Sequence, residues 1–94
     1  MKSYYEIFDS IYRVVADAVG EPNKILELAV SASRHREPDT AVLLCLSVAV
    51  EESIRIPEEL LDQASLVFDE EEPDDEPAFD DIALLRELNK QQVA

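Results

Sequence analysis

Histidine, cysteine and glycine each occur once in this 94-residue chain, and tryptophan does not occur at all. Cys45 therefore cannot form an internal disulfide, and its place inside an uncharged apolar run marks an inert buried thiol rather than a nucleophile. His35, between Arg34 and Arg36, has the setting of a solvated residue at a helix end. Without it, neither a Ser-His-Asp or Cys-His constellation nor a His-rich metal site can be assembled. Phosphate-cradling and calcium-binding loops both turn on glycines that a chain with Gly20 alone does not possess. The expectation is a protein with no catalytic residues, no metal and no cofactor: not an enzyme. The longest uncharged apolar run, residues 41–50, has ten residues, against the roughly 20 needed to cross a bilayer. Lys and Arg are missing throughout the stretch between Arg55 and Arg86.

What is abundant is negative charge. Twenty-two acids face eight Lys and Arg, for a formal net charge of -14 and a pI near 4.1. Nucleic acid and anionic membrane surfaces should repel such a chain, which leaves basic proteins or nucleoprotein complexes as the expected partners. The charge is also unevenly placed. Residues 1–50 hold seven acids and five bases, whereas residues 51–94 hold fifteen acids and three bases. Folding thus reads as the business of the first part and charge that of the second. The opening residues reach Glu6 before a signal-type apolar stretch can begin, so the expected compartment is the cytoplasm.

Read in order, the chain predicts helices. Ser3 and Glu6 have capping-box spacing, and Tyr4, Ile7, Phe8, Ile11, Val14, Val15 and Ala18 recur at three- and four-residue steps until Gly20, which suits a left-handed C-terminal cap. Pro22, Pro38 and Pro57 each read as the first residue of a further helix. The second buries Ile25, Leu26, Leu28, Ala29 and Ala32. The third contains AVLLCLSVAV, residues 41–50, and runs on to Ile54. Its valines make a buried strand the competing reading, but the Glu-Pro-Asp start and the lack of a second strand-like segment to pair with favour helix. The fourth presents Leu60, Leu61, Ala64, Val67 and Phe68. Residues 69–77, DEEEPDDEP, carry seven carboxylates and two prolines and read as solvated and extended. A short amphipathic helix follows, with Asp80 as its cap, Phe79 and Leu84 as a hydrophobic staple, and Ile82, Leu85 and Leu88 on one face. The expected fold is all-α: a bundle of four helices over residues 1–68, an acidic linker over 69–78, and a short C-terminal helix over 79–91.

The functional reading rests on the second half. Glu58, Glu59, Asp62, Asp69, Glu70, Glu71, Glu72, Asp74, Asp75, Glu76, Asp80 and Asp81 form an uninterrupted set of twelve carboxylates with no base among them. They suit an anionic surface that occupies the groove where a basic partner would hold nucleic acid, with Phe79, Ile82, Leu85 and Leu88 as its apolar anchor. In size, charge and lack of catalytic parts the chain is similar to small phage-encoded inhibitors such as anti-CRISPR and anti-restriction proteins and other nucleic-acid mimics, a likeness of composition that attaches to no residue pattern. It implies a stoichiometric inhibitor of a basic, nucleic-acid-handling protein or complex. Two alternatives stand beside it. One is an immunity protein or antitoxin capping a cationic toxin; the other is a helical adaptor or chaperone subunit that gives its last helix to a larger assembly.

Overall fold

The structure, a computed structural model, describes residues 2–20 and 22–91. Over these residues it is all-α, with helices α1 (Tyr4–Val19), α2 (Lys24–Arg34), α3 (Pro38–Glu51), α4 (Glu58–Ser65) and α5 (Glu76–Lys90), and a 3-10 turn (Pro73–Asp75) ahead of α5. α3 is the hub. It packs against α1, α2 and α5, while α4 bridges α1 and α5 on the far side of the core. Helices α1, α3, α5 and α4 thus close a ring around shared apolar side chains, and α2 covers the remaining flank of α3.

The reason for this arrangement lies in residues 41–50. None of the ten is exposed, and Ala41, Val42, Cys45, Leu46, Val48 and Ala49 are buried. The segment is helical, so its backbone groups bond within the helix and all its sides are free to take neighbours. α1 supplies Ile7, Phe8, Ile11 and Val15; α2 supplies Leu26, Ala29 and Ala32. Tyr4 and Ala18, placed on the α1 stripe by their spacing, are exposed, as is Leu28 at 60%. In α2 the buried stripe runs through positions 26, 29 and 32, which turns position 28 toward solvent.

The predicted starts and stops differ from the observed ones in instructive ways. α1 begins with the full capping box: the Ser3 hydroxyl accepts from the Glu6 amide at 3.2 Å and the Glu6 carboxylate accepts from the Ser3 amide at 3.1 Å. Gly20 caps its end at φ 79 and ψ 176, a region open essentially to glycine but not the left-handed helical one. Pro22 lies outside α2, because the Asn23 side chain accepts from the amides of both Ile25 and Leu26 at 3.0 Å and so takes the N-cap. Pro38 does open α3, whereas Pro57 is the N-cap of α4, its carbonyl accepting from the Leu61 amide at 3.1 Å.

α3 stops at Glu51 rather than at Ile54. Ser53 adopts φ 55, and the Ile54 amide returns to the Ala49 carbonyl at 2.8 Å while Ser53 donates to Val50 at 3.3 Å, which is a Schellman ending. The reversal drops Ile54 and Ile56 into the core with Arg55 exposed between them, an alternation that a helix does not provide. α2 ends in the same way around Arg36 at φ 63, with Glu37 donating to Ala32 at 2.9 Å.

The largest departure concerns the C-terminal part. The acidic tract is not extended: it folds into turns and the 3-10 turn, and α5 starts at Glu76. Asp80 is therefore interior to the helix and caps nothing, and Phe79 and Leu84 do not form a staple. Fifteen residues long, α5 buries Ala78, Ile82 and Leu85 against the rest of the molecule. Replacing Leu85 by Ala should cost about 2–5 kcal/mol in a denaturant titration, as should Leu46→Ala, with a smaller loss for half-buried Leu44→Ala. Ser53→Gly removes a side chain from a left-handed site and should raise unfolding free energy by about 1 kcal/mol in the same titration, with the midpoint shifted and the slope unchanged.

Candidate protein-interaction surface

The acidic turn folds because its own carboxylates satisfy its backbone. Asp69 Oδ1 accepts from the Glu71 amide at 2.9 Å, Asp75 Oδ2 accepts from the Asp69 amide at 2.9 Å, and Glu72 Oε1 accepts from the Asp74 amide at 3.4 Å. These are the bonds with which Asp and Glu compete for backbone donors in turns. The acids of the 3-10 turn also stand at the N-terminal end of α5, where the helix dipole favours negative charge.

Polar contacts made by four side chains then fasten α5 to the body around buried Ile82 and Leu85. Arg86 reaches Asp62 at 2.8 Å and Glu58 at 3.5 Å on α4. The Asn89 amide donates to the Ile56 carbonyl at 2.7 Å, and Arg55 donates to the Gln91 carbonyl at 2.8 Å. Ser47, the one polar side chain in the apolar run, donates to Asp81 Oδ2 at 3.4 Å. Burial pushes the Asp81 carboxyl upward, the Ser47 bond opposes that, and neighbouring Asp80 adds to it. Burial also pushes the Cys45 thiol up to about 12, which leaves it protonated and unreactive at neutral pH.

The candidate partner-binding residues separate into three groups on this framework. Ile82, at 4% exposure, and Leu85, at 1%, belong to the protein's own core and are withdrawn from any partner; Phe79 and Leu88 are half-buried. Phe79 meets Phe68 edge to face with ring centroids 6.3 Å apart. Glu58, Asp62, Asp69, Glu72, Asp75 and Asp81 are engaged in the contacts just described. Glu59, Glu70, Glu71, Asp74, Glu76 and Asp80 are exposed, and their carboxylates have no hydrogen-bond or ion-pair partner among the described residues.

Four of the six unengaged acids, Glu70, Glu71, Glu76 and Asp80, fall together with the engaged Glu72. Glu70, Glu71, Glu72 and Glu76 surround a concavity of about 430 Å³ whose apolar wall is Pro73 and Phe79. Glu76, Asp80, Ala83 and Glu87 continue from it at three- and four-residue steps along the exposed face of α5. Among the described residues no group of His, Cys, Asp and Glu is arranged to hold a metal ion, and no helix is long and apolar enough to cross a membrane.

Sequence reasoning missed Arg86, Ser47 and Asn89 as fasteners of α5, and it assigned Leu84, which is 56% exposed, to a staple with Phe79. Leu84 carried a signal: on a helix that buries positions 78, 82 and 85 it falls off the inner stripe. Compared with known proteins, the chain matches no family model, no curated protein and no solved structure.

Asp81 gives the site a pH signature. A carboxyl that binds its proton more tightly folded than unfolded favours the fold below its unfolded pKa, and that contribution is lost as pH rises through its folded pKa. Asp81→Asn, which keeps an acceptor for Ser47, should therefore raise the melting temperature at neutral pH. The gap to the parent protein should close as the buffer is made acidic, measured by circular dichroism over a pH series.

Proposed function

We propose that the protein is a non-enzymatic, acidic protein-protein interaction protein that binds a basic, nucleic-acid-handling protein or complex stoichiometrically and occupies the surface on which that partner would hold nucleic acid. The observation that carries this reading is the partition of the carboxylates. Six of the twelve between Glu58 and Asp81 have a job in the fold; of the other six, Glu70, Glu71 and Glu76 line one concavity and Asp80 continues from it along the outer face of α5, none with an ion-pair partner among the described residues. Carboxylates repeated along a helix face present negative charge at the spacing of successive turns, about 5.4 Å, as a phosphate backbone presents it along a groove. The walls of the concavity add an aromatic ring to which an arginine or lysine stem can apply itself. The likeness in composition to phage-encoded nucleic-acid mimics points the same way. A subunit that donates its last helix to an assembly has less support, since releasing α5 would expose Ala78, Ile82 and Leu85 together.

Such a surface acts through long-range attraction, so its complexes respond to ionic strength. Binding to a basic DNA-binding protein, followed by isothermal titration calorimetry, should weaken by at least about tenfold between about 50 and about 500 mM salt. It should also be displaced by duplex DNA and lost in the Glu70→Gln, Glu71→Gln, Glu72→Gln, Glu76→Gln variant. Affinity indifferent to both salt and these substitutions would remove the reading.

A further inference from the structure

We infer that the shallow apolar groove between the C-terminal end of α3 and α5, centred on Leu84, is the docking seat for an amphipathic, positively charged helix of the partner. The inference rests on the acidic-surface reading and locates the apolar anchor that charge alone lacks.

Leu84 is the largest apolar side chain left open on α5, and it lies at the meeting of two depressions. One, of about 220 Å³, is walled by Val50 and Ser53 from α3 and its ending, and by Leu88 and Gln91 from α5. The other is open, and Asp80, Ala83 and Glu87 edge it. The left-handed turn at Ser53 shapes the groove, because it carries the chain off the end of α3 and leaves Val50 half-buried beside Leu88. Nothing structural requires a leucine here: a polar residue at an exposed helix position would be at least as soluble, and the helix would form equally well.

Charge selects the occupant. The groove is edged by Asp80 and Glu87, with Glu51 and Glu52 exposed at the end of α3, four acids against two nearby cations: Lys90, 3.9 Å from Glu87, and Arg55, held 2.8 Å from the Gln91 carbonyl. A second copy of the chain would bring another -14 onto this face and be repelled. A helix with apolar side chains at three- and four-residue spacing and lysines or arginines on its flanks meets both requirements, with its apolar face between Val50, Leu84 and Leu88 and its cations toward Asp80 and Glu87.

The test uses the intact protein and two synthetic peptides of about 18 residues, long enough to form a helix. One has leucines on a single helical face and lysines elsewhere; the other has the same composition scrambled. The amphipathic peptide should bind at least about tenfold more tightly than the scrambled one, and Leu84→Ser, with unchanged thermal unfolding, should erase that difference. Amide chemical shifts perturbed by the amphipathic peptide in the parent protein should map to Val50, Ser53, Leu84 and Leu88, a readout that needs no variant. Equal, salt-sensitive binding of both peptides, untouched by Leu84→Ser, would overturn the Leu84 seat and leave the acidic surface standing. Binding of neither peptide would overturn both. A dimer in sedimentation equilibrium that Leu84→Ser dissolves would overturn the inference in favour of self-association.

Discussion

A helix that is apolar around its whole circumference must be covered around its whole circumference, and residues 41–50 leave α3 no face to give to water. The topology follows from that demand. α1 and α2 supply the inner faces of two amphipathic helices, the Schellman ending after Glu51 returns Ile54 and Ile56 to the same core, and α5 closes the side that would otherwise stay open. In a domain of this size each covering element is a large fraction of the total, because small chains bury proportionally less of their surface. α5 is therefore structural before it is anything else.

The charge that sets this chain apart is accommodated in two ways. Where acids lie near α4 and α5, Arg86 gathers Glu58 and Asp62, partly exposed pairs that contribute modestly to stability but fix the angle of the helix. In the acidic turn, backbone amides take the place of a cation: Asp69, Glu72 and Asp75 fold their own turn, and the start of α5 offers its dipole. Glu6 does the same at α1, where the bonds with Ser3, backbone first, hold its carboxyl below the usual range. An acidic chain can thus be compact without being neutral.

The fold class, the helical nature of the apolar run and the capping box at Ser3 were legible in the sequence, because each depends on local pattern. The structure of the acidic tract was not. Composition alone makes seven carboxylates in nine residues look like a solvated spacer, whereas the turn depends on which carboxylate reaches which amide. The face of α5 containing Ile82, Leu85 and Leu88 was read correctly as apolar, but an amphipathic face does not say what covers it, and the cover is the protein itself. The same displacement of the helix start hid Leu84: with a start at Asp80 it served as a staple, and with the observed start at Glu76 it faces out.

The cost of the unengaged acids favours the proposed interaction surface over a merely solubilising one. Glu76 and Asp80 stand four residues apart on one helix, where like charges destabilise by a few tenths of a kcal/mol, and Asp80 adds to the penalty on partly buried Asp81. A solubilising surface needs only dispersed charge, and interspersed lysines would relieve both costs without lowering solubility. Instead the stretch from Glu58 to Asp81 contains no base at all, and four of its six unengaged carboxylates gather around Pro73 and Phe79 and along one ridge of α5. Repulsion that the fold tolerates along a stretch without a single base is the pattern expected of the proposed surface, on which a partner's cations complete the electrostatics.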